Sequence, residues 1–166
     1  MGYDVTIERE GLSAVIDLQG DADAVADWAG AGLPPMPEQP NTANVDNGLS
    51  LYWIAPERWL LRADLEREDE LLAMSRPHEA PPDISVVQVS DTLQFFSITG
   101  PDAGDILSIA TPLDHHPSVF PANGATYTEI FNIKGLVVKQ PDGFEIAVER
   151  SFADLLADYL ARTTTQ

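Results

Sequence analysis

Three residues able to form a metal or acid/base centre stand side by side in the chain: Asp114, His115 and His116, within "TPLDHHPSVFP", residues 111–121. A carboxylate and two imidazoles would serve as zinc ligands or as a proton relay. Spacing argues against both. Neighbouring residues of an extended chain point to opposite sides, so adjacent histidines do not close on one ion. The remaining histidine, His78, lies in a separate proline-rich segment. Pro112, Pro117 and Pro121 bracket the cluster. It therefore reads as a proline-bounded loop that Asp114 and His116 tie down through hydrogen bonds, with His115 incidental.

Other chemistries lack their frames. There is no cysteine, which removes thiolate nucleophiles and sulfur-ligated metals. No G-x-S-x-G elbow surrounds the serines at 90, 97, 108, 118 or 151, and neither a P-loop nor a G-x-G-x-x-G cradle is present. The acidic run "EREDE" at 66–70 suits the first turns of a solvated helix, where carboxylates meet the positive end of the dipole. Asp102 and Asp105 would repel an anion from the helix start that follows Gly100. No catalytic, cofactor-binding or metal-binding residue is assigned to this chain.

The elements that would position these residues follow from periodicity. β-Branched and aromatic runs predict strands at 4–9, 12–18, 49–55, 58–63, 84–90, 93–98, 124–131, 134–139 and 143–149. Helices are expected at 21–31, 65–75, 101–110 and 151–162. The last has Phe152, Leu155, Leu156, Tyr159 and Leu160 at helical spacing behind a Ser151/Asp154 cap. Proline-rich stretches at 31–48 and 75–83 read as linkers. Residues 5–25 and 85–105 align at an offset of 80 as strand, strand, Gly20 or Gly100, then helix. "APERWLL" (55–61) meets "QPDGFEI" (140–146) at an offset of 85. The expected fold is α+β with mostly antiparallel sheets and four helices. It is built from two similar halves, 1–82 and 83–166, packed as one unit.

Composition narrows the partners. Nine basic against 27 acidic residues give a net charge of −18, which disfavours nucleic acid and anionic membrane surfaces. The first residues lack a basic, apolar leader and no run is long enough to span a bilayer, so the expected location is cytoplasmic. Residues 84–166 carry −6 against −12 for residues 1–83 and are the better place for a partner surface.

Three stretches together are similar to one family. "WIAPERWLL" (53–61), "FSITGPDAGDILSIATPLDHHPSVFP" (96–121) and "DGFEIAVERSFADLLADYL" (142–160) resemble the gamma subunit of heterotetrameric sarcosine oxidase. The order G-P-D-A, P-L-D-x-H-P, F-P, D-G-F and R-S-[FY]-A-D carries the likeness, which covers roughly residues 49–162. It implies an accessory, non-catalytic subunit of a complex that oxidatively demethylates sarcosine to glycine, with alpha, beta and delta subunits as partners. Flavins, NAD and folate would reside in the larger alpha and beta subunits and none in this chain. More distantly the chain is similar to the folate-binding domain of glycine-cleavage aminomethyltransferase, through Asn132 and Gly135 of "FNIKG" (131–135). Where that family has its catalytic carboxylate, this chain has Leu136, Val137, Val138 and Lys139. A free-standing folate-binding protein without that carboxylate is the alternative reading. The resemblance selects Gly100, Pro101, Asp102, Asp114, His116, Asn132 and Gly135 as family-motif positions and as a subunit interface. An apolar surface built to be covered would pair two copies when the partners are absent.

Overall fold

The computed structural model describes residues 2–164. In chain order its elements are β1 (Thr6–Arg9), β2 (Ser13–Gln19), α1 (Ala22–Ala29), β3 (Ala43–Asp46), β4 (Leu49–Ala55), β5 (Arg58–Asp64), α2 (Glu68–Ser75), β6 (Ser85–Gln88), β7 (Leu93–Thr99), α3 (Ala103–Ala110), β8 (Ala125–Ile130), β9 (Ile133–Gln140), β10 (Gly143–Glu149) and α4 (Ala153–Thr164). They form two compact units: unit 1, Met1–Gly11 with Thr92–Gln166, and unit 2, Leu12–Asp91. Each has one five-stranded antiparallel sheet, ordered β1-β7-β10-β9-β8 in unit 1 and β3-β4-β5-β2-β6 in unit 2. The class is α+β.

The units differ from the halves 1–82 and 83–166 at their ends, and strand pairing gives the reason. The runs at 4–9 and 12–18 read as a hairpin, as do 84–90 and 93–98. Instead β1 pairs with β7 and β6 pairs with β2. Each sheet thus takes an edge strand from the other half of the sequence. Thr6 opposes Thr99, and Ser85 opposes Gln19, so with Thr99 matched to Gln19 at the offset of 80 the exchanged edge strand is displaced by one residue and Val5 and Ile7 match Ile84 and Val86. At the end of each central strand a glycine permits close approach. A Cβ on Gly20 would lie 2.9 Å from Ile84 Cγ2, and one on Gly100 would lie 2.7 Å from the Asp4 carbonyl. Gly20 N–H donates to Glu57 O as Gly100 N–H donates to Asp142 O. The internal repeat is present in the fold.

Each sheet buries one face under its own helices. In unit 1, Ala103, Ile106, Leu107 and Ala110 of α3 meet Phe96, Ile98, Phe144, Ile146 and Val148. Complete burial of a side chain such as Leu107 stabilises the unit by about 2 kcal/mol. In unit 2, Val25 and Leu71 cover Ile16, Leu18, Leu51, Trp59 and Leu61. The Trp53 and Trp59 rings stand 6.2 Å apart across β4 and β5, so this tryptophan pair belongs to the core.

Two expectations are corrected. The face of α4 that packs consists of Ala153, Leu156 and Leu160, whereas Phe152 and Leu155 are exposed. A single 3-10 turn at Arg150–Phe152 precedes α4, and Asp154 accepts a hydrogen bond from Arg9 Nη1 at 2.7 Å, a pairing the Ser151/Asp154 cap did not anticipate. The linker at 31–48 contains edge strand β3. It reaches β4 through Asn47 and Gly48, whose φ values of 49° and 74° make the Asn-Gly turn of a two-residue hairpin. The acidic run at 66–70 opens α2. Ser90 and Gln88 hydrogen-bond the Glu68 carboxyl and hold it below the usual carboxylate range. Glu70 is lowered in the same direction by its hydrogen bonds from Arg67.

Candidate functional site

All seven family-motif residues lie in unit 1. They fall into three groups, each with a separate local task.

Gly100, Pro101 and Asp102 dock a strand. Gly100 has φ 118°, and its missing Cβ leaves room for the Asp4 carbonyl and Val5 Cα. Asp102 Oδ2 accepts the Asp4 N–H at 2.6 Å, and Asp102 N–H donates to the Asp4 carbonyl at 3.3 Å. The carboxylate is engaged with backbone, a charge-assisted bond that anchors the start of β1.

Asp114 and His116 shape the connection from α3 to β8. Asp114 Oδ1 accepts the His116 N–H at 3.0 Å in an Asx turn. His116 Nδ1 accepts the Ser118 N–H at 3.2 Å and stands 2.7 Å from Ser118 Oγ. The His116 carbonyl then takes the N–H groups of Val119 and Phe120, and Phe120 inserts into the core of unit 1. His115 is not incidental. Its Nε2 lies 2.9 Å from Ser108 Oγ, its ring meets Phe144 with centroids 5.4 Å apart, and Gly104 leaves the space it occupies. Sequence reasoning missed this role because a histidine seven residues after an α3 serine has no motif. The compatible signal was the pair of small residues, Gly104 and Ser108, one helical turn apart on α3.

This arrangement is a set of hydrogen bonds within the loop and to α3. The two imidazoles engage different serines, and among the described residues no three His, Asp or Glu side chains converge on a metal position. Ser108 Oγ lies 3.0 Å from Gly104 O, a backbone acceptor for its proton, as well as 2.9 Å from His115 Nε2. The surrounding depression, about 530 Å³ and lined by Ser108, Thr111, Leu113 and His115 among others, is open.

Asn132 and Gly135 complete the third group. Phe131 and Asn132 form the two-residue turn between β8 and β9, at φ 48° and 63°. A left-handed phenylalanine is strained by about 1 kcal/mol. Two contacts hold it: its N–H donates to Ala110 O at 2.7 Å, and its ring packs on Tyr159 with centroids 5.2 Å apart. Gly135 lies where a Cβ would meet Ile130 Cδ1 at 2.6 Å and Ala147 O at 2.8 Å, so β8, β9 and β10 pack closely there. Beyond it Leu136, Val137 and Val138 are buried on both faces of β9. Nothing on that strand can exchange a proton until Lys139, whose ammonium donates to Gly143 O and lies 4.1 Å over the Phe144 ring.

The comparisons agree with this geometry. The model of the family described as sarcosine oxidase, gamma subunit family, matches residues 22–166. A chain of the heterotetrameric sarcosine oxidase from Corynebacterium sp. U-96, solved in complex with pyrrole 2-carboxylate, superposes with a TM-score of 0.84 at 23% identity. The match covers 96% of this chain and 85% of that one. The glycine cleavage system aminomethyltransferase T from Bartonella henselae superposes at 0.71 with 17% identity, over 95% of this chain and 45% of that one. This chain therefore spans less than half of that enzyme. At these identities the two likenesses establish a shared fold. No curated protein sequence matches the chain.

Proposed function

The chain belongs to the sarcosine oxidase gamma subunit family, and from that membership we propose that it is a non-catalytic accessory subunit of a sarcosine oxidase-type complex. The complex would oxidatively demethylate sarcosine, or a related N-methyl amino acid, in the cytoplasm, with the flavin, NAD and folate chemistry in the larger alpha and beta partners and a delta subunit beside them. The observation that carries the reading is the family match across residues 22–166. The site chemistry supports it: Asp102, Asp114, His115 and His116 each engage groups of their own chain. Leu136, Val137 and Val138 occupy the stretch where an aminomethyltransferase-like enzyme would need a carboxylate. The motif residues Gly100, Pro101, Asp102, Asp114, His116, Asn132 and Gly135 shape the face of unit 1 that meets a partner.

Affinity purification of the tagged chain from its native host tests the proposal. A yellow, flavin-containing assembly with sarcosine-oxidising activity is the expected result. Repeated recovery of a colourless chain alone, or tight tetrahydrofolate binding by that chain, would contradict it.

A further inference from the structure

The repeat offers an internal control for which surfaces of unit 1 are complete. In unit 2 the inward side chains of exchanged strand β6, Ile84 and Val86, are 8% and 6% exposed. Leu72 of α2 and Ala80 pack against the cluster they belong to. The corresponding residues of β1 are Val5 and Ile7, and both remain only partly buried. Ala157 of α4 stands in the register position of Leu72, since Leu71 and Leu156 are the matching, fully buried leucines. Replacing leucine by alanine on the helix removes the side chain that would close the gap. The result is a cavity of about 370 Å³ between β1 and α4, floored by Val5, Ile7, Phe96, Ala157 and Leu160, with Arg9 at its rim.

One side of this groove is an unpaired sheet edge. Glu10 N–H donates to Phe95 O, which fixes Thr6, Glu8 and Glu10 as the residues bonded to β7. The backbone groups of Val5, Ile7 and Arg9 therefore point outward along the edge. Glu8 on the exposed face of β1, and Asp4 just before the strand, are acidic. An edge with free backbone donors and acceptors, beside an apolar slot, takes an added strand whose alternate side chains enter the slot. Opposite charges on facing residues favour basic side chains on the other face of that strand.

We propose that this groove receives an extended segment of a partner subunit, alternating apolar and basic residues, which pairs with β1 and seats an apolar side chain over Ala157. The inference rests on the accessory-subunit reading and names the surface through which it operates.

Ala157→Trp fills the slot from within. The partner subunits are co-produced with the tagged chain, wild type or variant, and assembly is read as flavin recovered per chain. The expected result is at least a tenfold fall for Ala157→Trp, with the thermal midpoint of the isolated chain kept. Wild-type recovery by a folded Ala157→Trp chain overturns the groove proposal alone. Failure of the wild-type chain to retrieve any flavoprotein overturns the accessory reading and this inference with it. If Ala157→Trp does not fold, Glu8→Arg on the exposed face of β1 replaces it, and undiminished assembly of that variant is the overturning outcome. A loss confined to self-association of the isolated chain, with hetero-assembly intact, would assign the groove to a second copy and also overturn the proposal.

Discussion

The two units share a strand order and a pair of exchanged edge strands, yet they use the plan differently. In unit 2 the inward side chains of the exchanged segment, Ile84 and Val86, are buried, Leu72 packs against the same apolar cluster, and Arg58 closes over the buried Asp17 carboxylate with an Nη2–Oδ2 distance of 2.5 Å. It also carries 15 acidic against 4 basic residues, a surface best left in water. Unit 1 holds all the family-motif residues, with 12 acidic against 5 basic, and leaves its exchanged strand half covered. Unit 1 is therefore the copy that keeps an open apolar groove, the one proposed to receive a partner segment.

The sharpest way to break the comparison is at positions 58 and 143, which correspond in the repeat. A Cβ on Gly143 would sit 2.0 Å from the Ile98 carbonyl, so Gly143→Ala should unfold unit 1 or cost more than about 4 kcal/mol in urea denaturation. Arg58→Ala in unit 2 strands a buried carboxylate while leaving a half-exposed site that water can enter. Its expected cost is smaller, about 2–3 kcal/mol by the same measurement. Equal costs would mean that the units are not built to different tolerances.

A finer test compares the loop residues of unit 1. His115→Ala removes both the Ser108 bond and the ring packed on Phe144, and should cost about 1.5–2 kcal/mol in thermal denaturation. Asp114→Ala removes one exposed Asx bond, with an expected cost near 1 kcal/mol. The reverse order would restore the reading in which His115 is incidental.

The smallest effect is pH-dependent and confined to unit 2. Glu68 has a folded-state pKa lowered by Ser90 and Gln88, so its contribution is present above the unfolded carboxylate pKa and is lost as pH falls through the folded value. The stability difference between the wild-type chain and Glu68→Gln should be full at neutral pH and close on acidification. A difference unchanged into acid would show that the carboxylate charge plays no part. The open surroundings of Glu68 keep the effect small.

What was legible in the sequence followed short-range rules. β10 matches its expected bounds, and the Ala103, Ile106, Leu107, Ala110 stripe of α3 is buried as its spacing implies. The Gly20/Gly100 correspondence was visible because only glycine tolerates the same close approach twice. The partner of each strand was not legible. β1 and β2 are separated by three residues and read as a hairpin, while the pairing with β7 depends on residues some ninety positions away. The role of His115 was hidden for a similar reason, since Phe144 approaches it only in the folded sheet. The open groove beside α4 required knowing that Ala157 and Leu72 occupy matching places. That equivalence emerges from the matching buried leucines Leu71 and Leu156 that precede them, not from the two residues themselves.

The exchanged strands also set an order of events on the ribosome. Every strand of unit 2 lies within residues 12–91, so its sheet can close before unit 1 has been synthesised. β1 is made earlier than any of these strands, yet its partner Leu93–Thr99 is made after all of them. β1 must therefore wait for its partner while a whole unit is completed behind it. Its short length and its Asp4, Glu8 and Glu10 carboxylates are the features that keep a waiting edge from pairing with the wrong chain.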